Sequence, residues 1–355
     1  MRNEQPRDRE PVAGMTNELV SVPTADVQGR APGGMWWVAW RQHRLTVVVG
    51  AGLLVVTALA SAVFRWSYTT TITVDPSACR DAQCVRIWQQ VAGFQASWVY
   101  LRMLLLTLPA LVGVVLGASI VAQERDRGTQ VFALTQSVGR ARWYLTKCAV
   151  VLVPAVAAAV LAGLTADWAI AAAPGVESPS PMQAPRFQIT GLVPGAFLLL
   201  SFGLAVAVGS LIRSGLGAVI VGLVVASSAV VVLGVWWYLA LVPEDRARLP
   251  LTIDNVYGSV YLDTMTPGSL VRRMGYAGAG GAEMSFVDAC RESGRAAQPA
   301  ADVRCLAQHG VTDRLIVYVD GSRYAQLVAT LGGACATVAG LGIGFGLWRL
   351  RRQVL

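Results

Sequence analysis

Residues 216–242 read LGAVIVGLVVASSAVVVLGVWWYLALV, a run of 27 residues without a charged side chain. A helix of roughly 20 residues crosses the hydrocarbon core of a bilayer. Lipid offers no partner for an unpaired backbone amide or carbonyl, so a segment that spans it must be helical. This stretch therefore predicts a transmembrane helix and places the chain among membrane proteins.

Five further uncharged runs have a similar length. Of the 355 residues, 54% are hydrophobic and only 14% are charged, whereas soluble domains carry about 25% charged residues. The runs also lack the weak alternation of a membrane β-barrel. The predicted fold class is an all-α polytopic membrane protein with six transmembrane helices, expected at Leu45–Phe64, Met103–Ala122, Cys148–Ala166, Ile189–Ile212, Leu216–Val242 and Tyr324–Leu347.

Basic residues indicate the orientation of these spans, because short cytoplasmic loops carry an excess of Lys and Arg. With the N-terminus inside, the cytoplasmic flanks hold Arg41, Arg44, Arg125, Arg127, Arg140, Arg142, Lys147, Arg213, Arg349, Arg351 and Arg352. The short outer loops hold only Arg65, Arg80, Arg86 and Arg186. Both termini are therefore expected in the cytoplasm, and the long loop between the fifth and sixth spans is expected outside the cell.

This topology divides the chain into six parts. The polar N-terminus lacks apolar periodicity and is expected to be disordered, and the Trp-rich segment after it suits an interfacial helix or an ordinary aromatic anchor. The expected parts are a tail at 1–34, an interfacial helix at 35–44, spans one to five at 45–241 with a cytoplasmic coupling helix at 120–136, an extracellular cap at 242–323, the last span at 324–348 and a tail at 349–355.

The cysteines fall into pairs on the side expected to be extracellular. Cys79 and Cys84 share the first outer loop, and Cys290 and Cys305 share the cap. An oxidising compartment favours two disulfides, with four free surface thiols as the alternative. Cys148 and Cys335 lie within spans and are expected to be packing residues.

Several chemistries are excluded by what the sequence lacks. Its one lysine, Lys147, is not part of a glycine-rich phosphate loop, so ATP is not bound by that route. His43 and His309 are far apart, which disfavours a multi-histidine metal site, and no catalytic motif is visible. The net charge of +8 suits anionic lipid headgroups, and no basic helix indicates a nucleic-acid partner. The chain is therefore not expected to be an enzyme or to hold a cofactor or metal.

The last span carries a stripe of small residues, Gly332, Ala336, Gly340 and Gly344. Residues four apart lie on one helix face, and small residues allow two helices to approach closely. We expect this stripe to pack within one protomer, with packing across a dimer as the alternative.

A polar island separates the second and third spans. It reads QERDRGTQ at residues 123–130 and continues through SVGRARW at 137–143. As a helix over 120–136, this segment places Gly128, Val131, Phe132 and Thr135 on a mildly apolar face, with acidic and basic residues opposite. Such a helix suits a groove in a soluble partner, and the alternative is a solvated helix that only joins two spans.

The island resembles the E-x-E-x-G-T … L-T-Q-S-V-S-R-x-R-W … K signature of permease subunits in ATP-binding-cassette exporters of the type-two class, especially those of actinobacteria. The matching residues are Glu124-Arg-Asp-Arg-Gly-Thr129, Leu134–Arg140, Arg142-Trp143 and Lys147. The chain departs from this signature at Asp126 and Gly139, where glutamate and serine are usual. It also departs from the family at Asp320, in the outer segment before the last span, where proline is common.

The resemblance implies a role for each matching residue. Glu124, Arg125, Asp126, Arg127, Gly128 and Thr129 would form the coupling helix, with the two acids meeting basic groups on an ATPase subunit and the glycine allowing close backbone approach. Arg140, Arg142 and Lys147 would hold the inner end of the third span at the lipid headgroups.

The resemblance further implies a permease in the plasma membrane of a bacterium that works as a dimer, expected to be a homodimer, with two ATPase subunits that bind ATP and Mg²⁺. A substrate path would lie between protomers, lined by spans two and five. The absence of mid-span charges suggests a lipophilic or amphipathic cargo such as a drug, peptide or lipid. The alternative is a non-transporting sensor or immunity protein that binds an extracellular ligand through its cap.

Overall fold

The computed structural model describes residues 34–74, 76, 83–126, 139–178, 180–212, 214–240, 243–253, 266–278, 283–284 and 299–352. The predicted disordered tail at 1–34 lies outside these residues except for Gly34. Eight α-helices occur in the described ranges: α1 (Gly34–Thr71), α2 (Gln83–Asp126), α3 (Arg140–Ala171), α4 (Arg186–Ile189), α5 (Val193–Leu211), α6 (Gly215–Ala240), α7 (Pro299–Gln308) and α8 (Tyr324–Arg352).

Six of these helices are long and apolar enough to cross a membrane, which confirms the predicted fold class. They are α1, α2, α3, α5, α6 and α8, one for each predicted span. The match follows from the physics of the prediction, because an uncharged run of this length has few alternatives to a helix in lipid.

Most of the helices extend beyond the apolar runs that predicted them. The first helix runs unbroken from Gly34, so the segment 35–44 forms its opening turns and is not a separate element. The second helix begins at Gln83, well before Met103, and the last continues to Arg352, into the predicted tail. An apolar run marks only the part of a helix that suits hydrocarbon, whereas the backbone hydrogen bonds continue into polar flanks.

The fourth span begins later than predicted, because a turn separates α4 from α5. Gly191 in this turn has φ +62°, a conformation that favours glycine. Its amide donates to the carbonyl of Gly163 in α3 at 3.0 Å. A Cβ on Gly163 would overlap the Gly191 carbonyl. The two glycines therefore allow the backbone of the turn to pack directly against α3.

The helix α5 lies at the centre of the bundle and packs closely against α2. Gly113 and Gly117 of α2 are one turn apart, and a Cβ on either would lie 2.5 Å from a carbonyl oxygen of α5, that of Leu198 or of Phe202. Small residues let helix backbones approach and gain van der Waals contact, which is a main attraction between helices in lipid.

A second close contact joins α5 to α8. A Cβ on Gly203 would overlap the backbone of Ala339, and a Cβ on Gly342 would overlap the carbonyl of Gly203. The predicted small-residue stripe lies on a different face of α8. Three of its members, Gly332, Gly340 and Gly344, have open space where a Cβ would lie among the described residues. The expectation that this stripe packs within the protomer is therefore wrong, and the glycines that do so are Gly342 and Gly346.

The region between α6 and α8 contains a four-stranded antiparallel sheet. Its strands are β1 (Asp245–Pro250), β2 (Leu270–Gly278), β3 (Glu283–Met284) and β4 (Val311–Val319), in the order β1-β4-β2-β3. The segment 315–319 is apolar and forms the second half of β4. The sequence pattern does not indicate β1, because Arg246 and Arg248 are charged and exposed, which leaves no apolar run.

The sheet is attached to the helices by a buried cluster. Met182, Leu270 and Val319 form its core, and Tyr324 and Leu327 of α8 pack against them. Nearby, Ser180 Oγ donates to the carbonyl of Gly268 at 2.9 Å. We call the end of the bundle beside this cluster the sheet end, and the end where α8 finishes the opposite end.

Tryptophans at both ends of the bundle lie beneath cations, as expected for residues at the two headgroup levels of a bilayer. At the opposite end the cation-to-ring distances are 5.3 Å for Arg41 over Trp37, 3.8 Å for Lys147 over Trp143 and 4.2 Å for Arg352 over Trp348. At the sheet end Arg65 lies 4.1 Å from the Trp168 ring.

The cysteines divide as the sequence suggested. Cys148 and Cys335 are buried and free, whereas Cys84 and Cys305 are each in a disulfide. Their expected partners, Cys79 and Cys290, lie outside the described residues, so the two pairings stay predictions.

Candidate functional site

The polar island is described only at its two borders. Glu124, Arg125 and Asp126 form the last turn of α2, and their side chains lie outside the described part of the chain. Arg127, Gly128 and Thr129 lie outside it entirely, together with the rest of 127–138. Residues 120–126 belong to the unbroken α2, and the predicted coupling helix at 120–136 stays a prediction.

The three residues expected to anchor the third span behave differently from one another. Arg142 is exposed, as contact with headgroups requires. Lys147 is only 2% exposed, and its Nζ lies 3.8 Å from the centre of the Trp143 ring. The ammonium therefore packs against the Trp143 ring, and contact of Lys147 with the headgroups stays a prediction. Arg140 is described only by its backbone at the start of α3.

A cavity of about 540 Å³ lies between α2 and α6, the helices of spans two and five. We call it the α2–α6 cavity. Apolar residues supply most of its wall, and three neutral polar residues interrupt them. The lining residues are Leu106, Thr107, Ala110, Leu111, Gln188, Leu223, Ser227, Val230 and Val231.

Gln188 reaches this cavity from the short helix α4. A Cβ on Gly234 of α6 would lie 2.8 Å from the Gln188 Nε2, so the glycine leaves room for the amide. Within the described residues the Gln188 side chain has no hydrogen-bond partner, whereas Thr107 donates to the carbonyl of Met103 in its own helix. Ser227 is exposed on α6. The amide and the Ser227 hydroxyl are therefore available to a bound molecule.

This composition determines which molecules suit the cavity. Binding pockets for small molecules are mainly apolar, with a few polar groups that fix orientation. The described lining holds no charged residue, so it provides no counter-charge for an ion. A lipophilic molecule with one or two hydrogen-bonding groups fits these walls.

An ion pair near the sheet end is formed by two residues that do not line the cavity. Arg102 of α2 lies 2.9 Å from the Glu177 carboxylate, which also accepts from the Trp98 indole at 3.0 Å. Glu177 is nearly buried, with 6% of its side chain exposed. This buried pair holds the loop after α3 against α2.

Sequence reasoning missed Gln188 and Ser227 as site residues. Gln188 directly precedes the predicted fourth span, where it looked like part of a flank. The signal for Ser227 was present, since Ser227-Ser228 are the polar residues within an otherwise apolar run at 216–235. No group of three or more His, Cys, Asp or Glu residues that could hold a metal occurs in the ranges that the structure describes.

Comparison with known proteins identifies a family for most of the helical region. A family model described as ABC-2 membrane transporter related matches residues 51–238. The matched region is more than half of the chain and runs from within α1 to within α6, so it contains the α2–α6 cavity and ends before the sheet. No curated protein and no solved structure matches the chain.

Proposed function

This chain belongs to the ABC-2 membrane transporter related family, and we propose that it is the permease subunit of an ATP-driven exporter. As a member of this family it is a multi-pass membrane subunit of a transporter and not itself catalytic. In our proposal a separate ATPase subunit binds ATP and Mg²⁺, and the permease moves a lipophilic or amphipathic substrate out of a bacterial cell by alternating access.

The α2–α6 cavity is the observation that carries this proposal. It lies between the two helices expected to line the path, and its neutral polar groups are available to a substrate. Two copies of the chain, facing each other across α2 and α6, would enclose the cavity as a path between protomers. Val224 and Val231 of α6, both 61% exposed, would then contact the partner copy.

The homodimer can be tested by cross-linking through single introduced cysteines. Val231 on α6 and Val153 on α3 are matched positions, since they are 61% and 62% exposed. We expect Val231→Cys to form a disulfide-linked dimer in the membrane and Val153→Cys to remain monomeric. Equal cross-linking of both variants would contradict a dimer that uses α6.

Coupling to an ATPase is proposed for the polar island. Affinity purification in mild detergent should recover a nucleotide-binding ATPase in near-equal amount. Glu124→Arg should abolish the recovery, because it places a cation against the basic groups expected on the partner. Glu244→Arg makes the same change at the sheet end and serves as the control. Recovery that is unaffected by Glu124→Arg would contradict the coupling role.

Transport can be tested with the uncharged dye Nile red in everted membrane vesicles that contain the complete transporter. We expect ATP-dependent uptake that is lost in Gln188→Leu, because the leucine removes the amide from the α2–α6 cavity. Gln326→Leu alters an exposed glutamine of α8 and should transport normally. If Gln188→Leu takes up the dye as well as the unaltered protein does, the cavity is not the path.

The orientation of the chain is also part of the proposal. Cytoplasmic termini would place the sheet and the expected pairs Cys79–Cys84 and Cys290–Cys305 on the oxidising side of the membrane. A membrane-impermeant thiol reagent applied to intact cells should therefore label these four cysteines only after reduction. Labelling without a reductant would contradict the pairings.

The alternative function is that of a non-transporting sensor or immunity protein. It is favoured if the cap binds an extracellular ligand and no ATPase is recovered with the chain.

A further inference from the structure

A second cavity, of about 510 Å³, lies on another side of the bundle. It occupies a cleft whose two walls are α3 and α8 and whose floor is α5, at the sheet end. We call it the α3–α8 cleft. Its lining residues are Leu164, Asp167, Gly191, Leu192, Val193, Ala196, Tyr324, Ala325, Val328, Ala329, Leu331 and Gly332.

The cleft exists because α3 and α8 meet at the opposite end and separate toward the sheet end. At the opposite end the Tyr144 hydroxyl donates to the carbonyl of Ile343 at 3.3 Å. The same hydroxyl lies against Gly346, where a Cβ would come within 2.5 Å of it. At the sheet end the Tyr324 hydroxyl of α8 lies beside Gly191 in the turn before α5, and no hydrogen bond joins α3 to α8 among the described residues that line the cavity.

Small residues keep the cleft open on the α8 side. Ala325 and Ala329 are exposed, and Gly332 has open space where a Cβ would lie. At the rim, Leu164 is 49% exposed and Leu192 is 55% exposed. A hydrophobic molecule could therefore enter from the lipid without displacing a side chain of α8.

An acid stands at one end of this apolar cleft. Asp167 lies 3.5 Å from the guanidinium of Arg186, and 45% of its side chain is exposed compared with 12% for Arg186. Arg186 also donates to the carbonyl of Ser178 at 2.7 Å. Part of its guanidinium therefore faces the loop after α3. The more accessible member of the pair is thus the carboxylate.

From this geometry we infer that the α3–α8 cleft binds a lipophilic cation. The hydrophobic body of the molecule would lie along Ala325, Ala329 and Gly332, and its positive charge would face Asp167. The α2–α6 cavity differs, because its described lining carries no charge. Two cavities of similar volume on one protomer would therefore select different classes of molecule.

The charge preference can be tested with two ions of nearly the same shape and opposite charge, tetraphenylphosphonium and tetraphenylborate. Radiolabelled ions would be bound to the purified full-length chain in lipid nanodiscs, with empty nanodiscs subtracted as background. We expect saturable binding of the phosphonium and at least tenfold weaker binding of the borate. No nucleotide or ATPase is present, so the result is independent of the proposed export function.

Four variants locate the binding. Asp167→Asn keeps the shape of the side chain and removes its charge, so the phosphonium affinity should fall about tenfold and the difference between the two ions should disappear. Asp167→Glu should restore the preference. Gly332→Leu should block binding by filling the cleft, and Ala329→Leu tests the same occlusion from the next turn.

The matched control for the filling variants is Gly340→Leu, which lies on the same face of α8, has the same open space and does not line the cavity. It should bind phosphonium like the unaltered chain. The inference is overturned if Asp167→Asn binds both ions unchanged, if the two ions bind equally, or if both filling variants bind normally.

Discussion

The helices α5 and α6 are neighbours along the chain and have almost the same kind of sequence, yet they occupy opposite environments. Both lack charged residues, and α6 is the more apolar of the two. In the structure 72% of the apolar window of α5 is buried, compared with 17% of that of α6. Hydropathy places both helices in the membrane and does not reveal which one lies at the centre.

The difference lies in the residues that allow close approach. On α5, Gly203 contacts the backbone of Ala339, and its Leu198 and Phe202 carbonyls face the glycines of α2. A lipid tail is as apolar as a leucine, so burial of apolar surface does not favour one helix over another within the bilayer. Van der Waals contact at short interhelical distances does, and α5 makes it on several sides.

The comparison also indicates where function is located. A central helix that contacts α2, α3 and α8 has little freedom to move without breaking those contacts. A peripheral helix can exchange neighbours, and α6 forms one wall of the α2–α6 cavity. We therefore assign α5 to the stability of the bundle and α6 to substrate and partner contacts. Three predictions test that division, and a fourth concerns the end of α8, which α5 contacts.

The largest effect is expected for Gly203→Leu. The new side chain would overlap the Ala339 backbone, which cannot rotate away, so α5 and α8 must separate. We expect a loss of about 3 kcal/mol in the free energy of unfolding, seen as a lower midpoint in thermal unfolding followed by size-exclusion chromatography. Gly340→Leu on α8 has room for its side chain and should shift the midpoint little. Equal midpoints would show that α5 is not a packing centre.

A smaller effect is expected for shortening apolar side chains. Leu198 of α5 is 0% exposed, and Leu198→Ala would leave a cavity. The cost should be about 2 kcal/mol, at the low end for such a change, because the unfolded helix in lipid does not expose the side chain to water. Val231→Ala on α6 should cost less than about 0.5 kcal/mol. The same thermal assay compares them, and a larger loss for Val231→Ala would reverse the assignment of the two helices.

Ser201 on α5 and Ser227 on α6 allow the same Ser→Ala substitution to be compared on the two helices. The Ser201 hydroxyl on α5 is buried and has no hydrogen-bond partner within the described structure, so Ser201→Ala should leave transport intact and raise stability by up to about 1 kcal/mol. Ser227→Ala on α6 should leave stability unchanged and lower ATP-dependent Nile red uptake several-fold. Measuring stability and uptake on both variants separates the two roles, and reduced uptake in Ser201→Ala alone would contradict them.

The smallest effect concerns pH at the junction between the sheet and α8, the helix that α5 contacts. Ser322 and Thr266 donate hydrogen bonds to the Asp320 carboxylate, at 2.8 Å from the Ser322 amide and 2.7 Å from the Thr266 hydroxyl. These bonds hold the pKa of Asp320 below its ordinary value, because they stabilise the ionised form.

The sign of the pH dependence follows from that lowered pKa. Stabilisation by Asp320 is complete above the unfolded pKa of about 4 and is lost as the pH falls through the lower folded value. Asp320→Asn should therefore remove a small decrease in the thermal midpoint between pH 5 and the acid limit of the folded protein. Identical pH profiles for both proteins would contradict a role for this carboxylate.

Some features of the site could be predicted from the sequence, and others could not. The second and fifth spans were expected to line a path by resemblance, and the α2–α6 cavity lies between them. The resemblance implied a headgroup contact for Lys147, and nothing in the sequence indicated that its side chain is buried beside Trp143. A position along the chain gives depth in the membrane, whereas the direction of a side chain around the helix depends on which neighbours pack there.

The stripe on α8 shows the same limit. Spacing of four identifies Gly332, Ala336, Gly340 and Gly344 as one face, but two faces of α8 carry small residues, and the one that packs is marked by Gly342 and Gly346. Both patterns permit close approach. The neighbouring helix determines which face packs. Among the described residues it is the Gly342 face that meets α5, where Gly203 lies at the same depth.

The amino-acid sequence by itself determined that this protein has six membrane-spanning helices, because uncharged runs of this length must satisfy their backbone hydrogen bonds internally in lipid. Tertiary structure alone decided that α5 is central and α6 peripheral, that a sheet forms between α6 and α8, and that two cavities differ in charge. These features depend on contacts between residues far apart in the chain. At several of those contacts a glycine, which has no Cβ, allows two helices to approach closely.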